Sequence, residues 1–186
     1  LVPTVFIPQI MWTLSPEIGK AMGIIEPVKA NIIFIIGYCS VIAGDVIASI
    51  LSEWFKSRKK ATIISLVLGI AVFAVFILYK PATMFEFYIF NALLGLTFGV
   101  WVVGGAWAAE QFGTNIRATV TTTMPSFCRA TAIPMNLAFR QLKVIGSIEA
   151  ITMIGSVIFC LALLSWFFLK ETYGRDLNFL EIKDSR

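Results

Sequence analysis

The chain is dominated by apolar runs that are long enough to cross a lipid bilayer. A transmembrane helix needs ~20 mostly apolar residues. Runs of about this length cover residues 31–55, 61–78, 85–109, 118–139 and 150–169. Of the 186 residues, 58% are hydrophobic and only 14% are charged, which is too few charges to cover a soluble domain of this size. We therefore predict an all-α integral membrane protein with five full transmembrane helices.

The segments outside these runs have a different character. Residues 1–12 are apolar but too short to span a bilayer, so we interpret them as the outer part of a truncated helix. Residues 13–30 contain Pro16 and Pro27 among charged residues, a pattern typical of an external loop. Residues 170–186 form a polar tail.

The basic residues between the runs predict the orientation of the chain. If the helices alternate in direction, one side receives Lys56, Arg58, Lys59, Lys60, Arg117, Lys170, Arg175, Lys183 and Arg186, and the other receives Lys20, Lys29, Lys80, Arg140 and Lys143. Basic residues concentrate on the cytoplasmic side of membrane proteins. This bias predicts a multi-pass protein of the plasma or inner membrane with a cytoplasmic C-terminus. It also explains the net charge of +4 as an orientation signal and not as a nucleic-acid surface.

Two opposite charges lie deep inside the predicted helices. Asp45 is ten residues before Phe55, or ~15 Å from the cytoplasmic end at 1.5 Å per residue. Arg129 is twelve residues beyond Arg117, or ~18 Å from the same side. Ionisable groups at this depth are costly and often mark a substrate or proton pathway. The sequence leaves two compatible interpretations open, a structural ion pair between two helices and a substrate or proton site.

Polar residues accompany both charges at helical spacing. Tyr38 lies seven residues before Asp45, and Ser126 and Asn136 lie three before and seven after Arg129, so each set shares one helix face. On the third run Asn91 precedes Gly95 and Gly99 at four-residue intervals, which favours close helix packing. Trp101 follows and is expected either to pack or to line a cavity and stack on a substrate. The candidate site residues are Asp45, Arg129, Tyr38, Asn91, Trp101, Ser126 and Asn136.

The composition argues against chemistry that needs a catalytic base or a metal. The chain has no histidine, and its three cysteines fall in separate apolar runs without a C-x-x-C spacing. No nucleophile lies beside a recognisable base. We therefore expect neither an enzyme nor a bound cofactor or metal.

Short motifs between the runs resemble those of a known transporter family. Residues 110–117, E-Q-F-G-T-N-I-R, resemble the E-x-F-P-T-x-x-R turn between the tenth and eleventh helices of major facilitator superfamily transporters, with Gly113 at the usual proline. Residues 171–177, E-T-Y-G-R-D-L, resemble the E-T-x-G-R-x-L tail after the last helix of sugar porters and related metabolite transporters. Residues 49–59 resemble the G-x-x-x-D-x-x-G-R-R loop after the eighth helix, with Ser49 and Lys56 in place of glycines.

The resemblance implies a fold and partners. The chain would be the C-terminal six-helix half of a transporter, built as two inverted three-helix repeats, with residues 1–12 as the remainder of helix seven. Asp45 would lie on helix eight and Arg129 on helix eleven, both beside a central cavity. The implied partners are the N-terminal half, the lipid bilayer, a small-molecule substrate and a proton. The resemblance also implies a cytoplasmic gate, in which Arg58 pairs with Glu110 and Glu171, and Glu53 and Arg117 take part.

These expectations together describe a secondary active transporter. It would move a small polar metabolite by alternating access, coupled to protons, with Arg129 binding an anionic group or modulating Asp45. Asp45 would be the coupling carboxylate or the counter-ion. The tail motif favours a sugar, whereas Arg129 favours an organic anion, so the substrate stays open. The alternative is a membrane scaffold or sensor that has this fold and does not transport.

Overall fold

The structure is a computed structural model that describes residues 1–175, and within that range it contains helices and no strand. The helices are α1 (Val2–Trp12), α2 (Ser15–Ala21), α3 (Ala30–Trp54), α4 (Arg58–Tyr79), α5 (Met84–Thr97), α6 (Trp101–Gln111), α7 (Thr114–Ala130), α8 (Ala132–Leu142) and α9 (Ser147–Phe168). The prediction of an all-α protein is therefore confirmed. The end of the predicted tail, with Leu177, Lys183 and Arg186, lies outside the described residues.

Four helical segments are long and apolar enough to cross a membrane: α3, α4, α9, and α5 with α6 taken together over Met84–Gln111. These four segments fit the expectation of a multi-pass membrane protein, although five full crossings were predicted. The large apolar side chains on α4 and α9 that face outward, such as Leu68 and Leu164, suit contact with lipid tails.

The fifth predicted crossing, over residues 118–139, does not form as one helix. It is divided at Thr131 into α7 and α8, and neither half is among the segments apolar enough to span. Pro134 has no N–H to donate to the carbonyl of Ala130, so the helix loses a backbone hydrogen bond at this point. A run of threonines and Arg129 makes α7 much more polar than the other long helices.

The short helix α1 lies in the centre of the bundle. Phe6, Ile10 and Trp12 are fully buried. The ring of Phe6 packs edge-on against those of Phe73 in α4 and Phe159 in α9, with centroid distances of 5.9 and 6.0 Å. Each edge-to-face pair adds about 0.5–1.5 kcal/mol beyond the area it buries. The first apolar run, although too short to span, thus supplies the core around which longer helices pack.

Helices α3 and α5 pack closely because glycines let their backbones meet. A Cβ on Gly44 would collide with the carbonyl oxygen of Leu96, and one on Gly95 would lie 2.7 Å from the carbonyl oxygen of Gly37. Just beyond α5, a Cβ on Gly99 would lie 2.6 Å from the backbone nitrogen of Asp45. The close-packing surface predicted from Gly95 and Gly99 is confirmed.

This contact predicts a difference between two helical glycines. We expect Gly44→Ala to lower the free energy of unfolding by about 1–3 kcal/mol, the usual cost of adding atoms to a packed core. Gly105→Ala is the matched control, since a Cβ there has no heavy atom within 4 Å. It should leave the stability unchanged or raise it by up to about 1 kcal/mol, since alanine suits a helix interior better than glycine. Denaturant unfolding in detergent micelles, followed by tryptophan fluorescence, measures both. Equal effects of the two substitutions would contradict the packing account.

Candidate functional site

Asp45 binds the N-terminus of the interrupted helix α6. Its carboxylate oxygen Oδ1 accepts a hydrogen bond from the backbone N–H of Val102 at 3.1 Å, and the N–H of Trp101 is a second backbone contact of the same carboxylate. The first N–H groups of a helix have no partner within it, and the helix dipole favours a negative charge there. Asp45 is half-buried beside the glycine contact between α3 and α5. Its position on α3 therefore places the carboxylate at the break between α5 and α6.

Arg117 binds the other end of the same helix. Its Nε donates to the carbonyl oxygens of Ala109 and Phe112 at 2.9 and 3.2 Å. The last carbonyls of a helix favour a cation. Helix α6, with eleven residues, therefore has an anion at its N-terminus and a cation at its C-terminus. The sequence predicted Arg117 as a member of the cytoplasmic gate, and these contacts join the first turn of α7 to the end of α6.

Arg129 is exposed on α7, and the centre of its guanidinium lies 6.0 Å from the centroid of the Trp101 ring. Within residues 1–175 it forms no direct ion pair with Asp45, so the structural ion pair considered from the sequence is not present. The two charges are connected through one residue instead. The backbone N–H of Trp101 lies next to the Asp45 carboxylate, and its ring faces the guanidinium of Arg129.

The other candidate residues are arranged differently. Asn91 is buried and donates from Nδ2 to the carbonyl of Phe87 at 2.8 Å, and Asn136 donates to the carbonyl of Ala132 at the same distance. Both amides therefore bind within their own helices. Ser126 is exposed one turn before Arg129 on α7. The structure brings Asp45, Trp101 and Arg129 together, with Ser126 beside them, and leaves Asn91 and Asn136 apart.

Tyr38 contacts Trp12, a residue that the sequence did not predict for the site. Its ring packs edge-on against that of Trp12, with a centroid distance of 5.3 Å. Trp12 and Trp101 both line a cavity of about 80 Å³ between α1, α3 and the break before α6. A tryptophan at the end of a short apolar run carries no pattern that would have placed it on the same cavity wall as Trp101.

A larger cavity lies elsewhere, between α1, α6, α7 and α9, with a volume of about 390 Å³. Its wall includes Trp107, Cys128 and Trp166. None of the described residues that line it is charged. Its polar lining residues are neutral, namely Thr4, Thr62, Gln111 and Ser165, so it offers no charged side chain to orient a charged metabolite. Likewise, no group of three or more potential metal ligands occurs among residues 1–175.

At the end of the bundle that is predicted to be cytoplasmic, Arg58 holds several elements together. Its Nη1 pairs with Glu53 at 2.9 Å and donates to the hydroxyl of Ser52 at 3.0 Å, while Nε and Nη2 both bind Oε1 of Glu110 at 3.2 Å. The side chain of Glu110 is 13% exposed and that of Glu53 is 60% exposed. Exposed ion pairs contribute only about 0–1 kcal/mol, so the shielded pair with Glu110 is the stronger of the two. The predicted pairing of Arg58 with Glu110 is confirmed, and Glu53, predicted only as a further member of the gate, also pairs with Arg58.

The tail closes this cluster. The hydroxyl of Thr172 donates to Oε2 of Glu110 at 2.6 Å, and that of Tyr173 donates to Oε2 of Glu53 at 2.7 Å. The guanidinium of Arg58 also lies over the ring of Tyr173, 5.1 Å from its centroid. The two carboxylates that pair with Arg58 are therefore shared with the tail.

Glu171 takes part in a way the sequence did not predict. Its carboxylate accepts hydrogen bonds from the hydroxyl of Ser57 and from the backbone N–H groups of Arg58 and Lys59, the latter two at 3.0 and 3.2 Å. It thus caps the N-terminus of α4 and does not bind the guanidinium of Arg58. Burial opposes its ionisation, but these bonds and those from the N–H groups of Tyr173 and Thr172 outweigh burial and lower the pKa of Glu171. Its pKa therefore lies below the ordinary 4.5 of a glutamate.

Comparisons of the chain with protein-family models, with curated proteins and with solved structures give no match. What the protein does must therefore be argued from the residues just described.

The cap formed by Glu171 predicts a pH dependence. A lowered pKa in the folded state means that the capped tail is favoured above pH 4.5 and is released as the pH falls through the lowered value. We expect the amide resonances of Arg58 and Lys59 to titrate with a midpoint below 4.5 in an NMR experiment in micelles. In Glu171→Gln this step should disappear.

A matched control separates this titration from that of other carboxylates. Glu149→Gln should leave the titration of the Arg58 and Lys59 amides unchanged, because Glu149 lies in the first turn of α9 and the tail follows the last turn. A midpoint at or above 4.5 in the wild type, or an unaltered step in Glu171→Gln, would show that Glu171 is not the cap.

Proposed function

We propose that the chain is half of a secondary active transporter of the major facilitator type, which moves a small polar metabolite across a membrane by alternating access. The observation that carries the proposal is the cluster of Asp45, Trp101 and Arg129 at an interrupted helix inside an otherwise apolar bundle. In many transporters, helices that are broken near the middle of the membrane form the substrate site, because their freed ends can bind charged groups.

The exposure of α7 supports a cavity beside this cluster. None of its seventeen residues is buried, although it carries Arg129, Ser126 and a run of threonines. A guanidinium inside a membrane must face water, protein or a counter-charge, because exposure to lipid tails is too costly. We infer that this face of α7 lines an aqueous cavity, closed on the other side by the N-terminal half of the transporter. In this arrangement α3 would be equivalent to α7 and α8 taken together, each in one of two inverted repeats.

The position of Asp45 suggests how a proton would act. No arginine pairs with it among the described residues, so protonation would not have to break a buried ion pair. Protonation would instead remove the negative charge from the N-terminus of α6 and weaken its hold on Trp101. Since Trp101 also contacts Arg129, proton binding and substrate binding would be coupled through this one residue. We expect transport without chemical conversion of the substrate.

The cluster around Arg58 would be the cytoplasmic gate. It joins the end of α3, the start of α4, the end of α6 and the tail through ion pairs of modest strength. Alternating access needs states that differ by only a few kcal/mol, and such a network biases an equilibrium without locking it. In this proposal the C-terminus is cytoplasmic and the protein lies in the plasma or inner membrane.

Uptake of labelled organic acids and sugars tests the proposal, using proteoliposomes that contain the chain with its complementary half. We expect Arg129→Ala to reduce the uptake of organic anions by at least tenfold and Arg129→Lys to reduce it less, because lysine keeps the charge. Asp45→Asn should remove the stimulation by a proton gradient. Arg140→Ala, an exposed arginine near the end of α8, is the control and should behave like the wild type.

Two results would overturn this view. If the wild type takes up none of the compounds, the chain belongs to a scaffold or sensor that does not transport. If it transports and both Arg129→Ala and Asp45→Asn match the wild type, these charges are structural and the pathway lies elsewhere.

A further inference from the structure

The larger cavity, between α1, α6, α7 and α9, is elongated along the helices. Its volume of about 390 Å³ lies within the range of ~300–1,000 Å³ that is typical of ligand sites. On α9 its lining extends from Ile158 to Leu169, eleven residues apart (169 − 158), or ~17 Å at 1.5 Å per residue. On α6 the lining extends from Gly104 to Gln111. The space therefore suits a long chain better than a compact metabolite.

The lining changes from polar to apolar along this length. Thr62, Gln111 and Ser165 lie near the start of α4 and near the ends of α6 and α9, at the end of the bundle that carries the Arg58 cluster. Phe98 and Ile158 line the inner end. A ligand that matches this lining has a polar head at the end of the bundle and an apolar chain that points inward.

A positive charge lies beside the polar end of the cavity. The ammonium Nζ of Lys59 is 4.4 Å from the centroid of the Trp166 ring, and it donates to the carbonyl of Leu169 at 2.8 Å. Trp166 and Leu169 are both wall residues. An ammonium group has three donors, and the bond to Leu169 uses one of them. The remaining donors and the charge favour an anionic head group on the ligand.

The cavity is not enclosed at α9. Leu161 is a wall residue and is nevertheless 58% exposed, and Ser165, one turn further along the same wall, is exposed as well. Helix α9 is long and apolar enough to cross a membrane, so an opening beside it faces lipid. Wall atoms of an unfilled apolar space lose their dispersion contacts. Lipid chains are the molecules that can enter from this side and restore those contacts.

We propose that this cavity binds one acyl chain of an acidic phospholipid, whose phosphate group is bound by Lys59. The second acyl chain stays in the bilayer outside α9. A zwitterionic phospholipid has the same chains, but its head group carries a cation that Lys59 repels. The inference depends on the position of the helices in a membrane and not on the transport function proposed above.

The test compares dioleoyl phosphatidylglycerol with dioleoyl phosphatidylcholine, which differ only in the head group. Native mass spectrometry measures the binding of each lipid to the detergent-solubilised chain joined to its complementary half. We expect phosphatidylglycerol to bind more tightly. Lys59→Gln should weaken the binding of phosphatidylglycerol about fivefold, which corresponds to the ~1 kcal/mol that one lysine contributes near acidic lipid. It should leave the binding of phosphatidylcholine unchanged.

Lys60→Gln is the matched control for the charge. It removes an equal charge at an exposed position one residue away, so it should retain most of the affinity for phosphatidylglycerol. A general attraction between basic residues and acidic lipid would instead make the two substitutions equal in effect.

A second pair of variants tests the acyl chain. In Ser165→Phe the added ring occupies the polar end of the cavity, so both lipids should lose their binding. Ser156→Phe is the matched control, because Ser156 is exposed on α9 and is not a wall residue. It lies nine residues earlier (165 − 156), or two and a half turns, on the opposite face of the helix. Thermal unfolding shows whether each variant is folded, and the lysine pair tests the site if Ser165→Phe is not.

Four results would overturn the lipid site. They are equal affinity for the two lipids, equal losses in Lys59→Gln and Lys60→Gln, unchanged binding in a folded Ser165→Phe, and a cryo-EM map in phosphatidylglycerol nanodiscs that shows a protein segment in the cavity. Acyl-chain density in the cavity, next to Lys59, would support it. None of these measurements uses uptake, so loss of the lipid site would leave the transport proposal intact, and absence of uptake would leave the lipid site intact.

Discussion

The structure depends on the need to satisfy backbone groups where a helix is interrupted inside an apolar bundle. The break between α5 and α6 frees N–H groups that have no partner within the helix, and a polar group left unsatisfied in apolar surroundings would cost several kcal/mol. Asp45 meets this need at the N-terminus of α6 and Arg117 does so at its C-terminus. The same carboxylate therefore stabilises the fold and fixes Trp101 beside Arg129. For this reason the stability of the break and the chemistry of the site cannot be separated.

A second constraint is the close contact that brings the carboxylate to the break. Asp45 reaches α6 because glycines let α3 lie against α5 at backbone distance. Larger side chains at Gly44 or Gly99 would move the carboxylate away from the N–H of Val102. The aromatic rings around α1 fill the centre of the bundle. The interior of the bundle is therefore packed both by the glycines between α3 and α5 and by the aromatic rings around α1.

The sequence predicted the features that depend on local pattern. Apolar length predicted the membrane helices, the four-residue interval from Gly95 to Gly99 predicted close packing, and the motif around Arg58 predicted its pairing with Glu110. A direct ion pair of Asp45 with Arg129, one of the two interpretations that the sequence left open, is absent among the described residues, because equal depth along two helices does not determine which groups face each other. The cap formed by Glu171 and the position of Trp12 depend on tertiary contacts between segments far apart in the chain. Neither leaves a periodic pattern in the sequence.

The central place of α1 has a consequence for biogenesis. Phe6 is synthesised well before Phe159, one of its ring contacts, which lies 153 positions later (159 − 6). Contacts between such distant residues slow folding, because the intervening chain must be ordered before they form. Until α9 has been inserted, the aromatic face of α1 must contact the translocon or other temporary neighbours. Completion of the core is therefore a late event in assembly, and substitutions in α9 that slow its insertion would leave the aromatic face of α1 exposed to quality-control proteases.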